Sequence, residues 1–236
     1  MTESLPSSIP SPEAIKSNTC PWAASQMKVI NAQHEAPVRK FLTRILQNPE
    51  THSKFLNMLS MLEHMGSRKI MLSQMDKMMT EDTLKHLAEE ARHAYFFKRQ
   101  AERTAKRALD GFTNDNAMSR IPAAMYFGRM DAGISKRVAP ADSYPWVSLI
   151  IEFRACWLYA IYQDVLQDST VSISLKSLLA EEDMHLAEMF EMCGEDGDTL
   201  REMVAYETSL FDKFWAILER DCEALITAEE NVSRAA

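Results

Sequence analysis

Glycine and proline are scarce in this sequence, with 6 Gly and 9 Pro in 236 residues. A sheet-rich fold of this length would need many tight turns, and these are the residues that build them. Their scarcity points to an all-α fold. Cysteine is scarce too: Cys20, Cys156, Cys193 and Cys222 include no C-x-x-C pair. Neither a zinc knuckle nor a rubredoxin-type iron site is therefore suggested. Residues 1–20 show no apolar stretch of the signal-peptide kind. The expected location is cytoplasmic, with reduced thiols. Positive charge is in deficit, at 26 Lys+Arg against 34 Asp+Glu, a net charge of −8. This balance argues against a nucleic-acid binder that works by neutralising phosphates. No run of about 18 apolar residues occurs, so no membrane span is expected.

What the chain does contain is ordinary for a folded domain, with 46% hydrophobic and 25% charged residues. Sixteen Met and four Trp suit a helical core with irregular gaps. The length fits one large domain, or a core with added elements. Residues 1–22 hold five Ser and four Pro and read as a disordered N-terminal arm. A single helical domain is expected over 23–230.

A first helix is expected over about 24–47. Asn48-Pro49-Glu50 has the chemistry of a helix start: Asn as N-cap, Pro at the first helical position, an acid in the first turn. Phe55, Leu56, Leu59, Leu62, Glu63, Gly66 and Ile70 then form a helical stripe. A turn near 76–80 leads to a second long helix, to about 109, where Asp110-Gly111 supplies a C-terminal glycine. Residues 111–145 are the least regular, with one or two short helices around 117–130. Further long helices are expected over about 146–167 and 172–192, the latter ending at Gly194. Thr199 and Glu202 have capping-box spacing and open a last helix, to about 228.

One internal repeat carries chemistry. Residues 87–93 read Leu-Ala-Glu-Glu-Ala-Arg-His and residues 179–185 read Leu-Ala-Glu-Glu-Asp-Met-His. One Glu-x-x-His means little in a chain with 34 acidic residues, but two copies sharing the preceding Leu-Ala-Glu are hard to ascribe to accident. On a helix, positions i and i+3 lie one turn apart on one face. Glu90 with His93, and Glu182 with His185, can each aim a carboxylate and an imidazole at one point. Glu89 and Glu181 are also co-facial with those histidines, so helix geometry alone does not choose. Bundles that hold two metals use the i, i+3 pair twice, which favours Glu90 and Glu182. Such a site also needs a carboxylate from each of two more helices. Glu63 lies in one apolar stripe and Glu152 in another, where an acid is costly unless a cation satisfies it. The midpoints of Glu63/Glu90 and of Glu152/Glu182 fall at the two expected turns, as an antiparallel pair requires.

Glu63, Glu90-x-x-His93, Glu152 and Glu182-x-x-His185 together resemble the ligand set of the ferritin-like di-iron carboxylate superfamily. The resemblance covers about residues 50–192, the expected metal-binding core. It implies a ferritin-like four-helix bundle with a crossover between core helices two and three, supplied by residues 111–145, and flanking helices at both ends. It implies two iron ions, or iron with manganese, bridged by Glu63 and Glu152. Oxygen and imidazole donors suit such metals. The activity implied is an oxygenase or oxidase: a di-metal centre activates O₂ to oxidise a small, partly apolar organic substrate, with an electron donor or reductase as partner. One alternative is iron binding with ferroxidase activity and no organic substrate. Another is a metal-free helical interaction module. A homodimer is expected.

The bland reading of the six ligands is a set of solvated charges, or salt bridges to Arg68 and Arg154. His86 shares a face with Glu90 and is a candidate extra ligand or supporting group; Tyr159 shares a face with Glu152 and is a candidate to relay an electron or a proton. Their ordinary readings are a core tyrosine and a surface histidine. Glu188 reads as a surface charge. Gly66, Ser67, Ala155 and Cys156 follow the expected ligands by one turn and either leave room for substrate or allow close helix packing. Met71, Met75, Met78 and Met79 read as core or interface.

Overall fold

The computed structural model describes residues 28–75, 79–194 and 197–235, which form helices without a strand. In chain order they are α1 (Ala32–Leu46), α2 (Pro49–Ser73), α3 (Glu81–Ala105), α4 (Arg120–Ser135), α5 (Ser143–Gln167), α6 (Lys176–Cys193) and α7 (Gly197–Ala235). The all-α expectation holds. The expected N-terminal arm lies outside the described residues. None of the described helices is long and apolar enough to cross a membrane. The described residues divide into two compact units: those within 43–128 with 211–235, and those within 28–42 with 129–210.

The first unit is built on α2 and α3. Asn48 is the N-cap of α2, its side-chain oxygen accepting from Thr51 N at 3.0 Å, with Pro49 at the first helical position. Proline has no N–H to leave unsatisfied there. Phe55, Leu56, Leu59 and Ile70 form the buried side of α2. The Thr80 hydroxyl caps α3 by accepting from Thr83 N at 3.2 Å. Two side chains fix an antiparallel register between these helices. Ser53 Oγ donates to Ala101 O at 3.0 Å and Ser60 Oγ to Ala94 O at 2.7 Å.

α3 stops at Ala105, earlier than the glycine at 111 suggested. Its C-cap is Lys106 in the left-handed region, at φ 54°. The following segment folds back on the last turns of α3. Lys98 Nζ donates to Leu109 O at 2.7 Å, and Leu109 N donates to Glu102 Oε1 at 3.1 Å. These side chains satisfy backbone groups that helix would otherwise have satisfied. Gly111 does take a positive φ of 64°, but in that loop. Asn57 Nδ2 donates to Gly111 O and Asn116 O at 3.1 and 2.9 Å, so the irregular segment is pinned to α2. Of the one or two short helices expected around 117–130, the structure has one, α4, over Arg120–Ser135. Tyr126 stacks on Phe214 of α7 with ring centroids 5.1 Å apart. Met71 and Met75 are exposed rather than core, and Met78 lies outside the described residues.

The second unit is built on α5 and α6. Val147, Ile150, Phe153, Trp157, Ile161 and Tyr162 make α5 a buried helix. α6 begins at Lys176, four residues later than expected. The preceding backbone is held by side chains instead: Val171 N donates to Ser169 Oγ at 3.1 Å and Leu175 N to Gln163 Oε1 at 2.6 Å. Gly194, at φ 71°, ends α6 as expected. α7 starts at Gly197, before Thr199, and runs on to Ala235, beyond the expected end near 228. The expected capping box is not the helix start, and Glu202 instead accepts from Arg137 Nε at 3.2 Å.

A buried ion pair ties α5 to α7 within this unit. Arg154 Nε and Nη2 donate to the two Glu207 oxygens at 2.8 and 2.6 Å, while Nη1 donates to Asn31 Oδ1 at 2.7 Å.

Candidate metal centre

The register of α2 and α3 assembles a first cluster of candidate ligands. Continuing from Ser60 opposite Ala94, three residues further along α2 bring Glu63 opposite Ala91, beside Glu90. Glu63, Glu90 and His93 are all buried. Each brings one ligand atom within 4.8 Å of the other two. Glu90 Oε1 lies 3.8 Å from His93 Nδ1. The same oxygen lies 3.5 Å from Nε2 of His86, one turn earlier on α3. Glu90 is thus flanked by two imidazoles, and within this unit it is the carboxylate common to both sides.

His86 corrects the surface reading. Only 2% of it is exposed. Glu89 and Glu90 differ in their surroundings. Both are buried, but Glu89 Oε1 is 3.5 Å from the exposed Arg92 guanidinium, whereas Glu90 is grouped with Glu63 and His93. Gly66 leaves room at this point: a Cβ there would lie 3.2 Å from Glu90 Oε2. Any larger side chain would press on that carboxylate.

A second cluster lies on α5 and α6, within the other unit. Phe153 meets Phe190 edge-on with centroids 5.2 Å apart, and Cys156 Sγ is 3.9 Å from Asp183 Oδ1. These contacts run α5 antiparallel to α6 and bring Glu152 to the His185 stretch of α6. Their ligand atoms lie within 4.8 Å of each other, and His185 Nδ1 is 3.6 Å from Glu182 Oε2. Glu152, Glu182 and His185 are 3%, 1% and 0% exposed. Glu181 is only half-buried, which separates it from Glu182; Glu188 is half-buried as well. Tyr159 is buried on α5.

The salt-bridge readings fare poorly. Arg154 is committed to Glu207, and Arg68 is exposed with no ion pair to a described residue. Glu207 was missed by sequence reasoning, although its signal was present. It sits among Met203, Val204 and Phe211 at helical spacing, the pattern that singled out Glu63. An acid in an apolar stripe therefore marks a buried cation partner, and that partner can be an arginine as readily as a metal.

Carboxylates buried among imidazoles are costly without a cation to satisfy them. Hard oxygen donors mixed with imidazole nitrogen suit iron, manganese or zinc rather than a soft ion. These buried His and Glu groups could hold a metal ion. A surface cleft of about 460 Å³ is lined by Met61, His64, Met65 and Arg68 of α2, with Phe112 and Arg120 among its other walls. Those α2 positions lie roughly opposite Glu63 around the helix, so this cleft does not lead to the ligands. No family model, curated protein or solved structure matches the chain.

Proposed function

We propose that Glu63, Glu90 and His93, with Glu152, Glu182 and His185, are the ligands of a two-metal centre in a ferritin-like oxidoreductase. The carrying observation is twofold occurrence: each unit holds one buried carboxylate facing one buried Glu-x-x-His pair. A lone buried acid has many explanations, as Glu207 shows, but the same constellation twice has few. Two iron ions, or iron with manganese, bound there would supply dioxygen activation.

The chain's own residues would do the rest. Glu90, flanked by two histidines, is better placed than Glu63 to serve both ions. Gly66 gives its carboxylate space to change position as coordination changes. The apolar surroundings of Glu63 and Glu152 exclude water and favour a small, partly apolar organic substrate. Electrons would come from a separate donor or reductase.

The test is metal content per chain, on protein grown with iron and manganese and purified without chelator. About two metals per chain are expected, with loading lost in Glu90→Ala and His185→Ala. A value near zero, with no uptake of ferrous ion on reconstitution, would overturn the proposal. Rapid O₂ consumption with ferrous ion alone, by a many-subunit shell, would replace it with iron oxidation.

A further inference from the structure

His86 belongs to neither copy of the repeated motif, yet the structure treats it like the residues that do. It is 2% exposed, against 2% for His93 and 0% for His185. Its Nε2 stands 3.5 Å from Glu90 Oε1. The corresponding separations inside the motifs are 3.8 Å for His93 with Glu90 and 3.6 Å for His185 with Glu182. Neighbouring ligands on one ion, each about 2.1 Å from it, stand roughly 3–4 Å apart. By that ruler His86 is as well placed as the two histidines of the motifs.

The alternative role is a hydrogen bond that orients Glu90. At 3.5 Å the pair sits beyond the normal range for such a bond, which centres on about 2.9 Å. His86 lies one turn before Glu90 on α3 and His93 nearly one turn after it, and both approach the same carboxylate oxygen, Oε1. We infer that His86 is a further metal ligand, which gives one ion of the centre an imidazole that the Glu-x-x-His repeat does not provide. The inference rests on the two-metal proposal. It makes the two ions chemically unequal, one of them richer in nitrogen.

Metal-free protein titrated with cobalt(II) tests this, using wild type, His86→Gln and His86→Gly, with circular dichroism to confirm folding. Calorimetry would report stoichiometry and affinity. X-ray absorption on the cobalt-loaded protein would report bound imidazole. Wild type is expected to take two cobalt ions. His86→Gln should keep one and bind the other at least tenfold more weakly, with one imidazole fewer in the absorption spectrum. Free imidazole should restore the second ion to His86→Gly. An unchanged imidazole count in His86→Gln, whatever its affinity, would make His86 at most a positioning residue and overturn the inference while the two-metal proposal stood. Failure of the wild type to bind cobalt would overturn both.

Discussion

Replacing Glu207 with Gln removes one charge from a buried pair and leaves its shape. The side chains of Arg154 and Glu207 are 7% and 1% exposed, and two donated bonds of 2.8 and 2.6 Å join them. The guanidinium would keep Asn31 Oδ1 at 2.7 Å and the stacking distance of 5.0 Å over Trp157. It would lose the Glu207 carboxylate and both bonds to it. Stranding one member of a buried pair typically costs about 3–5 kcal/mol, and the surviving Asn31 bond argues for the lower end, about 3 kcal/mol. Urea unfolding of metal-free protein, followed by circular dichroism, would measure it. The double variant Arg154→Met with Glu207→Leu should recover most of that loss, because an apolar pair of similar volume carries no desolvation debt. A loss below about 1 kcal/mol in the single variant would refute the reasoning. So would a double variant as unstable as the sum of the singles.

Gly66→Ala should raise or preserve the stability of the metal-free protein, since alanine in a helix interior is favoured by about 1 kcal/mol. It should also weaken metal binding, because the new Cβ would sit 3.2 Å from Glu90 Oε2; unchanged affinity would show that this carboxylate needs no such space. Burial lowers His52 from its ordinary value of 6.5 to about 4. The unfolded chain therefore takes the proton first, so stability is full above about pH 6.5 and is lost as pH falls towards 4. Relative to His52→Gln, wild type should lose about 2–3 kcal/mol of its advantage between pH 7 and 4.5, and parallel pH curves would refute this. Free metal at about 100 times its Kd should stabilise the protein by about 2.7 kcal/mol, reversibly on adding chelator. No such shift would indicate that the buried ligands hold no ion.

Local chemistry made much of this protein legible. Asn48-Pro49 and Gly194 act within a turn of the helix ends they mark, so they could be read directly. The Glu-x-x-His repeat was equally readable, because one helical turn suffices to bring its two side chains together. Gly111 misled because the end of α3 was set by Lys98 and Glu102 reaching into the following loop. Thr199 and Glu202 misled for a similar reason, since Arg137 claims the acid. These are contacts between residues that spacing does not relate.

The same division explains the site. Helical periodicity could nominate Glu63, Glu90, His93, Glu152, Glu182 and His185, but it could not decide between Glu89 and Glu90, both co-facial with His93. Tertiary packing separates them by bringing Glu63 of α2 beside Glu90, whereas Glu89 lies near Arg92 of its own helix. It also buried His86, which helix geometry had placed on the right face without saying whether that turn met solvent. Arg154 was a possible partner for Glu152 until α7 placed Glu207 against it from 53 positions away. The sequence by itself determined the all-helical architecture and the residue types able to ligate, because both follow from interactions within a few residues. Which of those residues are buried, and beside what, was decided only by the packed helices, because burial depends on neighbours the local pattern does not name.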